Sequence, residues 1–480
     1  MTTLNATQLN PQYVNNLDKW SLVRDAVNDD VEKNAIAKEY IIKPAGMSEE
    51  NYKAYVKRAV FKNFVGQTID VQKGAAFNKE FEFTGPDGSD LPESLAYLVD
   101  NVDGSGTSLE DQIKSVGQDV FSVGRIGAMV EYRPGGNGSK ADSNRAKIVT
   151  YTAESIHDWE ESYTIEVDNK LIYVLLVETY SKLVKGSRTD VERKIELKID
   201  EEGFYIQTIT DDGQIMGEPS MPLLGNGQRM DFIPFKFIGA DNNKPDVSRS
   251  PMFKLATINL AHYRGDADKR TNIHLFSVPT VGFKLDPNVT IQEFAINNKL
   301  TNEAGEIVKP LQVGGVAYIG AEAVYAQAST DAFLLTCQDA DVQDMIKLGA
   351  QVIAEGHAET AEAARIRKAA GTASLGDMIG NIEGAYDDLF MWCSMMNNKS
   401  GQADEFEFNM NKKFFDDRLT PQMLQQLSAL ALSNQIPQQT IFKAMKRDGS
   451  LGVDDEMEFD DFVAMIQEQA ELNPALNLDE

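Results

Sequence analysis

Four short stretches of the chain carry residue types that could do chemistry, and the first of them is rich in glycine. Residues 135–140 read GGNGSK, which is similar to a loop that holds phosphate through backbone amides and a lysine. That motif has four residues between its glycines and a Ser or Thr directly after the lysine, whereas Lys140 is followed by alanine. We therefore expect a hairpin loop at this position and no nucleotide site.

Two acidic stretches are similar to calcium-binding loops. Starting from Asn101, the residues Asp103, Ser105 and Gly106 fall at suitable positions, but the twelfth position is Gln112, where the loop needs a bidentate Glu. The stretch DGSLGVDDEMEFDD, residues 448–461, also lacks the spacing. The sequence favours a turn that caps a helix for the first stretch, and a turn with an acidic helix start for the second.

The fourth stretch contains a histidine. His357 and Glu359 match the H-x-E of zinc deaminases, but the P-C-x-x-C that completes such a zinc site is missing. The chain has neither H-E-x-x-H nor G-x-S-x-G, and its four histidines are scattered, so ordinary hydrogen-bonding roles are expected for His157, His262, His274 and His357. We predict no catalytic residues, no metal site and no cofactor, and hence a protein that is not an enzyme.

The charge balance is strongly acidic, with 46 basic and 74 acidic residues and a net charge of −28. A protein that grips DNA phosphates needs basic patches, and this chain has none of any length. One interpretation is a solubilising surface; another is a surface that stays near DNA without sticking to it. Charge alone does not choose between them.

The apolar residues favour a folded protein outside the membrane. They make up 42% of the chain, and no window approaches the roughly 20 apolar residues of a membrane span. The first 16 residues lack a basic stretch followed by an apolar one, so no secretory signal is expected. Cys337 and Cys393 lie in apolar contexts, which predicts two buried free thiols and a reducing compartment.

Hydrophobic periodicity predicts an α+β protein built from four stretches. Residues 1–115 are mainly helical, with Ser48 before one amphipathic run. Residues 118–240 are mainly β, and Pro234 indicates an edge strand. Residues 250–400 hold three long helices around a β insert, and the first helix is predicted to start with Ser250 as N-cap and Pro251 at the first helical position. A strand and further helices follow in 402–480.

Several of these stretches, taken in order over about residues 95–465, resemble the phage portal family described as a domain of unknown function, found in short-tailed phages and prophages. The segments that carry the resemblance are VDGSGTSLEDQI with VFSVGRIGAMVEY, YTAESIHDWE, IPFKFIGADN, SPMFKLATINLAHYRGDADKRTNIHLFSVPTVGF, VQDMIKLGAQVI, ETAEAARIRKAAGTASLGDMIGNIEGAYDDLFMW and LTPQMLQQLSALALSNQIPQQTIFKAM. The N-terminal 90 residues and the insert 286–310 are the least typical parts.

The resemblance implies a phage portal fold assembled as a ring, usually of twelve subunits. The segments that it implies are a wing at 1–250, a first stem helix at 251–275, a clip at 276–334, a second stem helix at 335–356, a tunnel loop at 357–373, a returning helix and strand of the wing at 374–412, and a helical crown at 413–480. Such a ring forms the DNA channel at one capsid vertex, through which DNA is packaged and later ejected.

The resemblance also implies partners and a place of action. The partners are further copies of the chain, double-stranded DNA that passes through the channel, the large terminase subunit, the major capsid protein, the scaffolding protein and a tail adaptor. No membrane is involved. The protein would be part of the virion and would be assembled in the host cytoplasm.

Two sets of residues are candidates for the work of such a ring. Arg365, Arg367 and Lys368 are predicted to contact DNA from the tunnel loop, although helix-surface charges are an equally good interpretation. Apolar stripes on the two stem helices are predicted to pack against neighbouring copies or, for about half of the positions, inside one chain. These stripes contain Phe253, Leu260, Tyr263, Val342, Met345 and Val352.

Two other classes of protein remain open from the sequence. Another virion structural component, such as a tail adaptor or a capsid-associated ring, would share the acidic α+β character but would not form a portal channel. An acidic metal-dependent hydrolase would instead bind a divalent metal tightly at a preformed site.

Overall fold

The computed structural model describes most of the chain up to residue 412 and only a few residues beyond it. The described residues are 9–79, 81–84, 91–92, 94–132, 145–162, 170–184, 186–210, 214–276, 280–307, 321–326, 332–348, 361–412, and single positions or short runs between 437 and 465. The chain divides into two compact units, Met1–Lys412 and Lys413–Glu480. In the second unit the Phe442 ring contacts Phe459 and Phe462, with ring centroids 5.5 and 5.0 Å apart.

The first unit mixes helices and strands, as the α+β prediction requires. Its helices are α1 Pro11–Val27, α2 Val31–Asn34, α3 Glu49–Arg58, α4 Phe64–Ala76, α5 Leu109–Ser122, α6 Phe253–Phe276, α7 Ile291–Asn297, α8 Ala332–Lys347 and α9 Ala361–Asn397. Its strands are β1 Glu82–Thr84, β2 Arg125–Glu131, β3 Lys147–Thr152, β4 Ile156–Ser162, β5 Lys170–Val184, β6 Ser187–Asp200, β7 Gly203–Ile209, β8 Ile215–Ser220, β9 Phe235–Gly239, β10 Thr280–Leu285, β11 Ala321–Ala326 and β12 Glu407–Asn409.

The strands form four antiparallel sheets. The largest has the order β4-β5-β6-β7-β8, and a three-stranded sheet has the order β3-β2-β9. Two ribbons, β1 with β12 and β10 with β11, have two strands each. Strand β9 begins directly after Pro234 and lies at the edge of its sheet, which confirms the edge strand predicted from that proline.

Two local predictions about helix starts had different outcomes. The Ser48 hydroxyl accepts a hydrogen bond from the Asn51 backbone N–H and caps α3, as predicted. The prediction that Ser250 caps the next long helix is wrong, because α6 begins at Phe253. The Ser250 hydroxyl instead donates to the Ser122 backbone oxygen (2.8 Å), at the end of α5, and is not free to cap.

In the third of the long helices predicted for residues 250–400, apolar residues recur in a seven-residue rhythm, and α9 confirms this stripe. The seven positions of that stripe, Leu375, Ile379, Ile382, Tyr386, Leu389, Cys393 and Met396, are all buried. Strand β9, helix α5 and strand β12 pack around this helix, so it forms part of the core of the first unit.

Several predicted boundaries shift. The β-rich stretch does not begin at residue 118, because α5 continues to Ser122 and β2 starts at Arg125. The second long helix of the 250–400 region begins at Ala332 instead of 335 and is described to Lys347. Residues 361–373, predicted as part of a loop, are helical and belong to α9. Alanine-rich sequence has a high helix propensity, which explains the helix there.

Candidate functional site

Helices α6 and α8, called here the helix pair, overlap the two segments predicted as stem helices, and the β10–β11 ribbon lies between them in the chain. Thr280 at the start of β10 pairs with Ala326 at the end of β11. The chain therefore leaves α6 and re-enters α8 at the same end of the ribbon, so one helix runs toward the ribbon and the other away from it. The two helices contact one another along their length, and Lys269 donates to the Gln338 side-chain oxygen (3.0 Å).

Large apolar side chains are exposed where the helix pair approaches the ribbon. Phe333 is 73% exposed, Ile273 56% and Leu335 43%. Cys337, predicted as a buried thiol, is exposed on the same helix, whereas Cys393 is buried as predicted. The neighbouring Gln338, and not Cys337, is buried against α6. The apolar pattern around Cys337 therefore predicted a helix correctly but did not identify which side of the helix is buried. Phe333 and Leu335 lie roughly 200° apart around α8, so large apolar side chains are exposed on two sides of its start, which indicates surfaces that other molecules cover.

The predicted packing residues divide into two groups. Tyr263 and Met345 are 1% and 0% exposed within the single chain, and the Tyr263 ring meets Phe61 edge-on with centroids 5.6 Å apart. They have no surface left to bury against another copy, so they belong to the chain's own core. Leu260 is also buried. Phe253 and Val342 are half-buried, and Val352 lies outside the described residues.

Polar side chains of α6 hold the N-terminal segment of the chain. The Asn259 side chain, fully buried, accepts from the Phe64 backbone N–H (3.2 Å) and donates to the Lys62 backbone oxygen (2.9 Å). One heptad further along the same face, Asp266 accepts from the Val60 backbone N–H (2.9 Å). Sequence reasoning missed both residues, although a polar pair seven positions apart beside the apolar stripe of the helix was the available signal.

The same face of α6 contains a buried histidine. His262 is 3% exposed and meets the Phe64 ring edge-on, with centroids 5.9 Å apart. Burial lowers the pKa of His262 below its ordinary value of 6.5, and nearby Lys62 adds to this effect. The residue is therefore an uncharged core histidine at neutral pH, but its Nδ1 is buried without a hydrogen-bond partner, so the hydrogen-bonding role predicted for it is not seen at this atom.

Residues 124–127 read GRIG, and the two glycines of this segment allow its main chain to lie very close to other parts of the protein. Gly124 adopts φ +86°, and a Cβ there would lie 2.9 Å from the Arg249 backbone oxygen and from the Pro251 ring. A Cβ on Gly127 would overlap the Phe235 ring. The first glycine thus places the start of β2 against the turn that precedes α6, which links the sheet to the helix pair.

Arg125, between these glycines, is a buried cation. It is 1% exposed, and its guanidinium lies 4.3 Å from the ring centroids of both Trp159 and Phe237. Its Nη1 donates to the Pro245 backbone oxygen (2.7 Å) and to the Asp246 backbone oxygen (3.3 Å). Burial lowers the pKa of Arg125 to about 9, so the group still carries its charge at neutral pH.

An open polar cavity of about 750 Å³ lies between the end of β9 and α9. Its lining includes Asp241, Asp377, Asn381 and Lys412, together with small residues of α9. No group of three metal-ligating side chains occurs anywhere among the described residues. The lining thus provides polar groups of both charges, and nothing in it marks a nucleophile held by a base.

The calcium-like stretch forms the predicted turn. Asp103 accepts hydrogen bonds from the backbone and hydroxyl of Ser105 (both 2.7 Å) and from the Thr107 hydroxyl (2.7 Å), and Ser108 then caps α5 through the Asp111 N–H. Partial burial opposes ionisation of Asp103, but these hydrogen bonds outweigh it and lower its pKa. The Asp103 carboxylate therefore accepts hydrogen bonds from within the turn itself. The stretches at 135–140 and 357–359 lie outside the described residues, as do most of 448–461.

Acidic side chains cluster along α9 near β12. Asp388 pairs with Lys236, and Glu383 pairs with Lys412 (2.6 Å). Between them, burial and then the charges of Glu383 and Asp388 raise the pKa of Asp387 to about 6. The ionised form of Asp387 is therefore less stable in the folded protein than it would be in water.

The three predicted DNA contacts lie in the N-terminal part of α9, and their side chains fall outside the described part of the structure. At about 100° per residue, positions 365 and 368 share one face of the helix, whereas position 367 lies roughly 200° around the axis from 365. Among the described helices, none is long and apolar enough to span a membrane.

Comparison with known proteins agrees with the family suggested by the sequence. Residues 251–396, from the start of the helix pair to the end of α9, match the family model described as "Domain of unknown function (DUF4055)". The predicted resemblance is confirmed over these residues. No protein in the curated set has a sequence that matches this chain.

Solved structures that are similar to the chain include the following three. One is a chain in the neck of an empty GTA particle, computed with C6 symmetry, with 11% identity, coverage of 89% of this chain and 95% of that chain, and a TM-score of 0.41. Another comes from the virion of a native gene transfer agent particle, with 11% identity, coverage of 88% and 96%, and a TM-score of 0.36. The third is an HK97 family phage portal protein from Corynebacterium diphtheriae, with 7% identity, coverage of 74% and 96%, and a TM-score of 0.34.

Proposed function

We propose that the chain is the subunit of a phage portal, a ring at one capsid vertex through which DNA is packaged and ejected. In this proposal the ring contains twelve copies, α6 and α8 are the stem, and the β10–β11 segment belongs to the clip that docks the terminase motor. The sheets and N-terminal helices form the wing, and residues 413–480 form the crown. The tail adaptor joins the same ring after packaging.

The observation that carries the proposal is the uneven burial of the helix pair. One side of α6 is held by the chain's own N-terminal segment through Asn259 and Asp266. The ribbon end of the pair leaves Ile273, Phe333 and Leu335 exposed. In a ring, one surface of each subunit covers a different surface of the next, and closure leaves no copy with an uncovered face. Neighbouring helix pairs would bury these side chains in that way.

The charge of the chain supports a conduit better than a DNA anchor. With a net charge of −28 per copy, a ring repels the phosphates of DNA strongly. Each phosphate that a Lys or Arg neutralises adds a salt-dependent attraction, so sparse basic contacts leave a duplex free to slide. Arg365, Arg367 and Lys368 would supply a few such contacts near the start of α9. In this proposal the chain hydrolyses nothing, and the motor supplies the energy.

The test is the state of assembly of the purified full-length protein, measured by sedimentation velocity and negative-stain electron microscopy. We expect rings with an axial channel wide enough for a duplex. A monomer that never assembles, even with its capsid partners present, would refute the proposal. An icosahedral shell, or assemblies without a channel, would instead favour another virion component.

A second measurement separates the portal from the metal-dependent hydrolase. Calorimetric titration with Mg²⁺, Mn²⁺ or Zn²⁺ should show no tight binding, and the protein should show no ATPase or nuclease activity. Turnover that a point mutation in this chain abolishes would overturn the assignment.

A further inference from the structure

The segment between β9 and α6, residues 240–250 and called here the junction loop, connects the three-stranded sheet to the helix pair. Its polar groups bond mainly to other elements of the fold. From α1, the Gln12 side chain accepts from the Val247 N–H (2.8 Å) and donates to the Asp246 carboxylate (2.7 Å). Directly before β2, the backbone oxygen of Gly124 accepts from the Ala240 N–H (3.1 Å). Hydrogen bonds thus hold the loop to at least two other parts of the fold.

Helix α9 fastens the loop from a third side through a single residue. The Asn381 side-chain amide donates to the backbone oxygens of Gly239 (3.0 Å) and Ala240 (3.2 Å). The backbone oxygen of Asn381 accepts from the Asn243 side chain (2.7 Å), whose own oxygen accepts from the Gly239 N–H (3.3 Å). Three hydrogen bonds therefore join one position of α9 to the last residue of β9 and to two residues of the loop, Ala240 and Asn243.

Arg125 donates hydrogen bonds to the middle of the junction loop. A guanidinium buried between two aromatic rings is usually paired with a carboxylate, because an uncompensated buried charge is costly. The polar contacts of Arg125 are instead the two loop carbonyls, at Pro245 and Asp246. The two rings also favour the cation, but the loop supplies its hydrogen-bond acceptors and the nearby charge of the Asp246 side chain, so the arginine and the loop conformation depend on one another.

The end of the loop is joined to the start of α6. The Ser250 hydroxyl and the Met252 N–H both bond to the backbone oxygen of Ser122 (2.8 and 3.3 Å), and the Met252 oxygen accepts the first-turn N–H of Ala256 (2.8 Å). A shift of about 1 Å between α9 and the loop would lengthen the Asn381 bonds beyond hydrogen-bonding distance. Either the loop follows α9, or those bonds break.

We propose that the junction loop is a mechanical coupler, in which Asn381 transmits displacements of α9 to the start of α6 and Arg125 keeps the loop rigid enough to do so. The coupling is a property of one chain and does not require the proposed ring. Within that ring it would connect the helix that begins near the predicted DNA contacts to the first stem helix.

Hydrogen exchange of the full-length protein, followed by mass spectrometry or NMR, tests the coupler. Asn381→Asp keeps the shape of the side chain but removes the donor of two hydrogen bonds. We expect exchange at the N–H groups of Lys244, Val247 and Ala256 to accelerate at least tenfold, as the loss of one to two hydrogen bonds predicts. Arg125→Met should accelerate the same amides, while the β5–β6 hairpin keeps its wild-type rates.

Two matched variants control for unspecific loosening. Asp377→Ala changes α9 one turn before Asn381 without touching a loop hydrogen bond, and Arg193→Met removes an arginine that pairs with Glu178 on the large sheet. Both should leave the loop amides unchanged. Unaltered loop exchange in Asn381→Asp would overturn the proposal, as would acceleration confined to residues 240–247 with no effect at Ala256. If Arg125→Met fails to fold, Asn243→Ala replaces it, because it removes a loop bond to α9 without burying a new group.

Discussion

Truncation of Phe333 should weaken ring assembly without unfolding the subunit. An aromatic side chain buries about 150–250 Å² when it is fully covered. Phe333 is 73% exposed, so a neighbouring copy could bury roughly 110–180 Å² of it. At about 25 cal/mol per Å², and allowing for the methyl group that alanine retains, Phe333→Ala should cost each interface about 2–3 kcal/mol. That is roughly a 30- to 150-fold decrease in the association constant of each interface.

The assay is sedimentation velocity over a range of protein concentrations, with negative-stain images of each sample. Phe333→Ala should form rings only at protein concentrations raised by a similar factor, and its melting temperature as a monomer should match that of the wild type. The control is Leu183→Ala, which removes an equally exposed apolar side chain (68%) from the β5 hairpin. Rings of Phe333→Ala that form at the wild-type concentration would refute the argument, whereas equal weakening by Leu183→Ala would place the interface elsewhere.

Three further predictions concern the stability of the subunit. Gly225→Ala should lower the free energy of unfolding by more than about 2 kcal/mol, because the new Cβ would overlap the backbone oxygen of Asn398. Gly74→Ala, at a position in α4 with open space around it, should be neutral or slightly stabilising. Thermal melts of the two variants test this difference. Asp387→Asn should stabilise the protein at pH 7, because a carboxyl whose pKa rises from 3.8 to about 6 on folding costs stability as the pH rises through that window. Urea titrations should show a clearly larger gain at pH 7 than at pH 4.5, where only part of this cost is present, and an equal gain at both would contradict the argument. The wild-type protein should lose stability as the pH falls below 6.5, because the buried His262 imidazole resists the proton that the same residue accepts in the unfolded chain. His262→Gln should reduce this loss by at most about 1.4 kcal/mol per pH unit. An unchanged slope of the unfolding free energy against pH, measured by urea titration, would contradict the prediction.

Local patterns in the sequence predicted the elements whose causes are local. Ser48 caps α3, Pro234 precedes an edge strand, and the stripe that contains Cys393 is the buried face of α9. Each depends on a few neighbouring residues or on one helical period, so a single segment contains the whole cause.

The predictions that failed depended on contacts between distant segments. Ser250 looked like a helix cap, but the Ser122 carbonyl, 128 residues earlier in the chain, binds its hydroxyl. Cys337 lies in an apolar run, yet the neighbouring Gln338 is the residue that turns toward α6. The burial of Arg125 could not be predicted either, because its two ring partners and its two carbonyl acceptors come from separate strands and a loop.

The contacts between α6 and the N-terminal segment show why a family resemblance can be confined to one part of a fold. The Tyr55 hydroxyl donates to the Asp268 carboxylate of α6 (2.6 Å), but Asn259, Arg264 and Asp266 bond to main-chain atoms of residues 40–64. Such bonds fix the path of that segment but leave its side chains free to differ, provided that they fill the space against the helix. The family model matches residues 251–396, which include the side chains that hold the segment but not the segment that is held. The N-terminal helices can therefore be an integral part of this architecture even though their sequence was the least typical part of the chain.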